Sequence, residues 1–330
     1  MKVQAILSFG DCSIFKIIDL PKPKVKPGYV LIRVMATSVN PVDCKVRSGQ
    51  YGQICPEFPA ILHSDVAGII EEIGPEVTEF SVGDEVYGCA GGFKNESGAL
   101  CEFMLADARL IAKKPKMLNM LEAAALPLVS ITAWEALFEK VKIGFGQKTL
   151  IHAGTGGVGH IAVQLAKWAG AEVATTISSM EKEELAQSLG AKETINYTVE
   201  SVQDYVDRLT HGKGFDVVFD TIGGDNLDKS LTAVTLYGNV VSIQAKSSHD
   251  VTPLHAKSAS LHGVFMLLPL LYNLQRERHG KILKQIATLV DDGYLKPLVD
   301  PLVFSFDDID KAHAYLESGN AIGKVVVHIP

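Results

Sequence analysis

The sequence predicts an α/β protein made of a mostly-β part and a doubly wound parallel sheet. Two observations carry that expectation. Residues 1 to about 122 are short apolar runs broken by Gly and Pro, the punctuation of compact β structure. From Gly146 onward, β-rich runs alternate with helical ones, and parallel strands need crossover connections of that kind. A length of 330 residues leaves room for about two domains with full cores.

In the first part, residues 30–36, 66–73 and 85–88 read as strands. The second of these ends at Gly74-Pro75, and Val82-Gly83-Asp84 makes a turn into the third. Near Leu121 the pattern turns helical. A short helical run ends at Pro127, and a second helix starts at about Ser130, with Ser130 or Thr132 as cap and Trp134, Leu137, Phe138 and Val141 on one face. Strands follow at 148–152, 172–177, 193–196, 215–220, 239–243 and 262–266, with helices starting near Gly157, Glu181, Val202 and Leu227. Beyond Pro269, a helix carrying Ile282, Ile286 and Leu289 leads to strands at 302–306 and 325–329.

Composition excludes several classes. At 47% hydrophobic and 21% charged, the chain is neither disordered nor a disulfide scaffold. A net charge of −7 with no Lys/Arg run lacks the electrostatic footprint of a nucleic-acid binder. The N-terminus shows no apolar run of signal-peptide length, and the longest apolar stretch, 264–271, contains Pro269 and is too short for a membrane span. The five cysteines, Cys12, Cys44, Cys55, Cys89 and Cys101, include no Cys-x-x-Cys pair, which predicts a reducing, cytoplasmic setting.

The strongest local signal is Gly154-Thr155-Gly156-Gly157-Val158-Gly159, a Gly-x-Gly-x-x-Gly directly behind an apolar strand and opening a helix with Ile161, Leu165 and Trp168 at helical spacing. One glycine makes the tight turn, one lets the backbone reach a pyrophosphate, and one lets helix pack on strand. The diphosphate then sits on free N–H groups at the positive helix end. Dinucleotide binding follows, against the alternative of a plain βα turn. An NAD site wants an acid about twenty residues on, at the end of the next strand. Here the sequence reads Thr176-Ile177-Ser178-Ser179-Met180-Glu181-Lys182. Two hydroxyls and a lysine suit a 2′-phosphate and favour NADP over NAD, with Glu181 as the residue that opposes it.

At this point the chain resembles the medium-chain dehydrogenase/reductase superfamily, specifically its zinc-independent quinone oxidoreductase (zeta-crystallin-like) branch. The carriers are Ser38-Val-Asn40-Pro-Val-Asp43, 58–68, 126–134, 154–167 with Gln164, Asn196-Tyr197 and Ile322-Gly323-Lys324-Val. Thr155 departs from the family turn, which usually has a smaller residue there. The resemblance implies a GroES-like catalytic domain from both chain ends, 1–122 and 269–330, and a Rossmann NADP-binding domain at 123–268. It assigns Ser178, Lys182 and Tyr197 to the 2′-phosphate of NADP(H). Phe265 would lie under the nicotinamide, with Asn320 and Lys324 where relatives close over the cofactor. The last strand of the Rossmann sheet would pair across a two-fold axis in a homodimer.

Zinc relatives use Cys, His and Cys. The corresponding places hold Asn40 and Ser64, and no cysteine follows Cys101. A substitute set of Cys44, His63 and Asp65 is chemically conceivable; the alternative is an ordinary hydrogen-bonded His63 and a small buried Cys44. Without a strong Lewis acid, substrates that spread incoming charge over a conjugated system are favoured. The resemblance therefore implies NADPH-dependent reduction of quinones, or of α,β-unsaturated carbonyls such as 2-alkenals. The contrasting reading is a non-catalytic NADPH-binding protein, crystallin-like or RNA-binding. Asn40, Asp43, Tyr51 and Thr132 are expected to line the cleft. By resemblance, Asn40 and Tyr51 face the substrate oxygen. Tyr51 is the candidate proton relay, or else a loop aromatic packing on substrate or cofactor.

Overall fold

The computed structural model describes all of residues 1–330. The chain divides into two compact units, Met1–Leu128 with Leu267–Pro330 and Val129–Met266. The helix Met120–Ala124 lies against strands of the first unit.

The first unit opens with strands β1 (Lys2–Ile6), β2 (Lys16–Asp19) and β3 (Tyr29–Ser38), then helix α1 (Pro41–Arg47). Strands β4 (Ala60–Ile61), β5 (Asp65–Ile73), β6 (Glu85–Cys89), β7 (Phe103–Asp107) and β8 (Ile111–Lys113) follow, before α2 (Met120–Ala124). β2, β1 and β4 form a small antiparallel sheet. β3 is the long central strand of a second sheet, paired with both β5 and β7. It approaches β5 so closely that a Cβ on Gly68 would stand 2.2 Å from the Arg33 carbonyl oxygen.

Helix α3 (Pro127–Trp134) begins at Pro127, whose fixed φ suits a first helical turn, and continues into a π-helical stretch at Glu135–Lys140. Ser130 and Thr132 are therefore inside this helix, not caps at its start. The second unit is then β9 (Lys148–Ile151), α4 (Gly159–Trp168), β10 (Glu172–Ile177), α5 (Met180–Leu189), β11 (Glu193–Asn196) and α6 (Val202–Thr210). It ends with β12 (Phe215–Asp220), α7 (Asp225–Ala233), β13 (Val234–Ser242), α8 (Thr252–Lys257) and β14 (Ser260–Gly263). All neighbours are parallel, in the order β11-β10-β9-β12-β13-β14. This order reverses at β9, and open sheets of this type bind ligands outside the carboxyl ends of the strands at such a point. One face carries α4 and α5. On the other, Tyr205 and Val206 of α6 and Leu227 and Leu231 of α7 bury against Leu150, Val218 and Val240. The last strand stops at Gly263, short of the expected 262–266, so Phe265 lies beyond it.

The chain returns to the first unit with α9 (Leu268–Tyr272), α10 (Glu277–Asp291), β15 (Val299–Ser305), α11 (Ile309–Glu317) and β16 (Lys324–His328). β16 joins the sheet antiparallel to β3, with Val326 opposite Ser38. Ahead of α10, Arg276 is buried among acids from the unit's opening segment. Its guanidinium donates to Glu96 Oε1 at 2.7 Å, Asp107 Oδ2 at 2.9 Å, the Tyr29 hydroxyl at 3.2 Å and the Leu270 carbonyl at 3.1 Å. Removing one side of a buried ion pair strands the other, at about 3–5 kcal/mol. Arg276→Met is therefore expected to lower the unfolding free energy measured in urea by that amount; a value near the native one would show that Glu96 and Asp107 find other partners.

Candidate functional site

The glycine turn closes as its residue types require. A Cβ on Gly154 would stand 2.2 Å from Thr175 Oγ1, and one on Gly159 would stand 2.0 Å from the Ala153 carbonyl oxygen. Only glycine lets β9, β10 and the start of α4 approach this closely. Gly156 has more room, since a Cβ there would come no nearer than 3.2 Å to that same carbonyl. Ala153 holds a positive φ of 52°, and its N–H is pinned by Thr176 Oγ1 at 2.9 Å. Next door, the buried Asp220 carboxylate accepts from the Ile222 and Gly223 amides, Asn226 Nδ2 and Ser242 Oγ, fixing the carboxyl ends of β12 and β13. A bare βα turn at the reversal point, opening onto a ten-residue helix, fits a diphosphate.

The adjoining strand ends carry Ser178, Lys182 and Tyr197, the residues expected at a 2′-phosphate. Ile177 of β10 pairs with Asn196 of β11, so Ser178 and Tyr197 leave neighbouring strands side by side. Lys182 Nζ lies 3.3 Å from Ser178 Oγ, while Ser179 caps α5 through the Lys182 amide. Glu181 points to solvent in the first turn of α5. The slot where a 2′-hydroxyl acceptor would stand thus presents a hydroxyl and an ammonium.

In the first unit the structure brings Asn40 and Asp43 together, but not at a surface. Asn40 is 1% exposed, and its side chain is held at both ends. Its Nδ2 donates to Asp65 Oδ2 at 2.8 Å, and its Oδ1 accepts from Lys324 Nζ in a short hydrogen bond. Lys324 Nζ also donates to the Val39 carbonyl at 3.2 Å and faces Asp65 Oδ2 at 3.6 Å. Asp65 accepts further from Ser38 Oγ at 2.7 Å and from the Leu128 amide at 2.8 Å. Asp43, in the first turn of α1, accepts from the Asn40 amide at 2.8 Å. Its other oxygen, Oδ1, is buried without a partner. Burial, then the Asp65 charge, pushes the Asp43 carboxyl up to about 7 against the pull of the Asn40 amide and Lys324. Burial lowers Lys324 while the two carboxylates oppose it.

Asn40 and Asp43, expected to line the cleft, are buried at the start of α1. Lys324, read as closing over the cofactor, has its ammonium committed to Asn40, Val39 and Asp65 at 3% exposure. Asp65, whose only expected role was in a conceivable metal set, is instead the hub of this cluster. Its signal, an acid opening an apolar strand, and that of Lys324, a lysine opening Val325-Val326-Val327, are those of charges that must find each other.

Cys44 and His63 do not converge on a metal. Cys44 Sγ faces His313 Nδ1 at 3.4 Å, and His63 Nε2 meets His313 Nε2 at 2.9 Å. They thus occupy opposite nitrogens of one ring. Thr37 Oγ1 donates to the Asp65 carbonyl, so it accepts from His63 Nδ1, and every tautomer in the chain follows. Both imidazoles are neutral: burial pulls His63 down to about 3 and His313 well below its ordinary value. No three His, Cys, Asp or Glu groups gather as a cation site. A donor set of amide, hydroxyl and ammonium does not fit zinc.

Tyr51 is half-buried, at the head of a short 3-10 turn behind α1, with Lys45 Nζ 5.3 Å from its ring centroid. Thr132 belongs to the second unit and is buried in α3. Tyr197 and Phe265 are about half exposed, at 53% and 47%, and Asn320 is exposed beyond α11.

The family of alcohol dehydrogenase GroES-like domains covers residues 26–116, and that of zinc-binding dehydrogenases covers residues 189–327. A 2-methylene-furan-3-one reductase of Solanum lycopersicum is 35% identical over 99% of this chain and 79% of its own length. An NADPH-dependent alkenal/one oxidoreductase of Arabidopsis thaliana is 33% identical over the same shares, 99% and 79%. The quinone oxidoreductase of Homo sapiens is 28% identical over 99% of this chain and 97% of its own. The crystal structure of an alcohol dehydrogenase superfamily protein from Novosphingobium aromaticivorans superposes with a TM-score of 0.95 at 38% identity, covering 100% of both chains. The chain belongs to the medium-chain dehydrogenase/reductase superfamily, in its zinc-independent, quinone oxidoreductase-like branch.

The raised Asp43 carboxyl gives a signed pH dependence. A buried acid that resists ionisation contributes stability at low pH, and that contribution is lost as pH rises from about 4 through about 7. Asp43→Asn keeps an acceptor for the Asn40 amide and never ionises. Its melting temperature relative to the native protein should therefore climb between pH 5 and pH 8; a constant difference across that range would contradict the raised value.

Proposed function

We propose that this protein is an NADPH-dependent reductase of quinones, acting without a metal. The observation that carries it is the pairing of the glycine turn with Ser178, Lys182 and Tyr197, in a slot that no inward-facing acid guards. An acid at this position would repel a 2′-phosphate, whereas a lysine and hydroxyls attract it. The bound nicotinamide supplies the hydride. The chain's own residues hold the diphosphate on α4, select the 2′-phosphate, and offer the substrate oxygen a proton donor. Tyr51 is the phenol for that donation, and the Asp65–Lys324–Asn40 cluster acts as a positioning group for α1 and the turn that carries it. Thr132, Phe265 and Asn320 are given roles by family resemblance alone.

A second reading is reduction of the C=C bond of enals and enones. The identity of 35% and 33% to the furanone reductase and the alkenal/one oxidoreductase supports it. Both substrate classes delocalise the incoming charge, so both need only a hydrogen-bond donor at the oxygen. A cytoplasmic homodimer accords with the chain. Its five cysteines are unpaired, and β14 ends its sheet with Leu261 and the neighbouring Leu236 and Tyr237 exposed.

Following the loss of NADPH absorbance in the near ultraviolet, with 1,4-benzoquinone and with 2-alkenals, is the direct test. Turnover of quinones supports the first reading, turnover confined to alkenals the second, and NADPH binding without any turnover would leave a binding protein. Lys182→Ala should weaken NADPH by about tenfold and leave NADH unchanged, as expected for loss of one charge-assisted contact; equal loss for both nucleotides would remove Lys182 from the 2′-phosphate. Tyr51→Phe should lower kcat by at least about tenfold with NADPH affinity intact, and an unchanged kcat would end its role as donor.

A further inference from the structure

Three polar side chains of the second unit form a line that the reductase reading does not use. Ser247 and His249 lie in the loop between β13 and α8, and Asp228 lies in the first turn of α7. Ser247 Oγ is 2.5 Å from His249 Nε2, and His249 Nδ1 is 2.9 Å from Asp228 Oδ1. A carboxylate only accepts, so Nδ1 carries the ring proton. Nε2 of the neutral ring is then an acceptor and takes its bond from the Ser247 hydroxyl. The imidazole is only 9% exposed, whereas Asp228 is half exposed and Ser247 lies at the surface.

A serine two residues from a histidine readily shares a hydrogen bond with it inside a loop. The third group sets this line apart, because it comes from another element. α7 and α8 both pack on β13. Lys257 Nζ, at the end of α8, donates to the Thr232 and Val234 carbonyls at 2.5 and 2.7 Å, where α7 runs into β13. At the loop's other end the Gln244 amide donates to Ser242 Oγ, which itself donates to Asp220. The loop is thus anchored on both sides of Ser247 and His249. An acid, an imidazole and a hydroxyl in this order activate a serine: the base reaches the hydroxyl proton, and the carboxylate fixes its tautomer. The Ser248 amide, the next N–H along the chain, makes no hydrogen bond within the chain and is free to meet an oxyanion.

We propose that Ser247, His249 and Asp228 form an acyl-transfer site that takes small activated esters from the open surface. Ser247 Oγ attacks the ester carbonyl carbon while its proton passes to His249 Nε2. The adduct expels the alcohol, which leaves with that proton, and an acyl-serine remains. Water then attacks the acyl carbon, giving a proton to Nε2, and the carboxylic acid departs as Ser247 regains the proton. One ester and one water become one acid and one alcohol. His249 is the base, and Asp228 is a positioning residue that acts through the ring. No group of the glycine turn and no part of Tyr51 enters the reaction.

p-Nitrophenyl acetate serves as the ester, and diisopropyl fluorophosphate, whose fluoride leaves as the Oγ–P bond forms, as the trap. The native protein should release p-nitrophenolate and carry the phosphoryl group on Ser247 in tryptic mass spectra. Ser247→Ala should abolish that adduct and lower esterolysis at least about tenfold, and His249→Gln should slow labelling about a hundredfold, the lower end of general-base catalysis. Asp228→Asn keeps a hydrogen bond to the ring but favours the wrong tautomer, so labelling should slow there too. Asp228→Glu should recover part of that rate. Both assays run without NADPH, so they read this site whether or not the protein reduces a quinone. No adduct on Ser247 in the native protein, undiminished esterolysis in Ser247→Ala, or equally fast labelling in His249→Gln would each overturn the site.

Discussion

The first unit depends on one buried carboxylate. Asp65 begins β5 and, with its two oxygens, gathers Ser38 from the end of β3, Asn40 from the head of α1, the Leu128 amide from the start of α3, and the Lys324 ammonium from β16. An ionised carboxylate away from water is tolerable only with its lone pairs filled and its charge met. Here both conditions are satisfied by groups that lie far apart in sequence. The same requirement explains why Asn40 turns inward. A carboxamide between an ammonium and a carboxylate has one orientation, since a flipped amide would set NH2 against NH3⁺ and oxygen against oxygen. The local order of α1, and with it the turn holding Tyr51, follows from that orientation.

Charge is handled differently in the two units. In the second, the buried Asp220 is satisfied by amides and hydroxyls alone, and it serves to fix strand ends around a turn that must stay open. In the first, charges are closed against each other, in the Asp65–Lys324 group and again around Arg276. Open N–H groups suit an anionic ligand that comes and goes; closed ion pairs suit a scaffold. The histidine chain from Cys44 to Thr37 belongs with the scaffold, because its tautomers are all fixed and both rings stay neutral.

Much of this was legible in the amino-acid order, and the reasons are local. The run 172–177, the run 193–196 and the run 215–220 coincide with β10, β11 and β12, since each is a short β-rich segment set between helical ones. Gly154 and Gly159 announce their turn because backbone closeness leaves no other residue type. What the sequence hid is long-range. β1, β2, β4, β7 and β8 are short and paired with distant partners, so no period marks them. The inward roles of Asn40, Asp43 and Lys324 depend on which side chains the fold places opposite them, separated by as many as 284 positions. The start of α3 at Pro127 was obscured by hydroxyls at 130 and 132 that look like caps but lie within the helix.

The position of Lys324 has a consequence for how the molecule is made. Lys324 opens β16 and follows Asn40 by 284 positions, so it leaves the ribosome long after Asn40 and Asp65. At about 5–20 residues per second, those two groups wait on the order of ten seconds or more, while the whole second unit is synthesised. Until then Asp65 has no counter-charge and the Ala36–Ser38 end of β3 has one open edge. Any factor that shelters the newborn chain must therefore cover β3 and β5, and a chain that stops before Lys324 carries an unanswered carboxylate at Asp65.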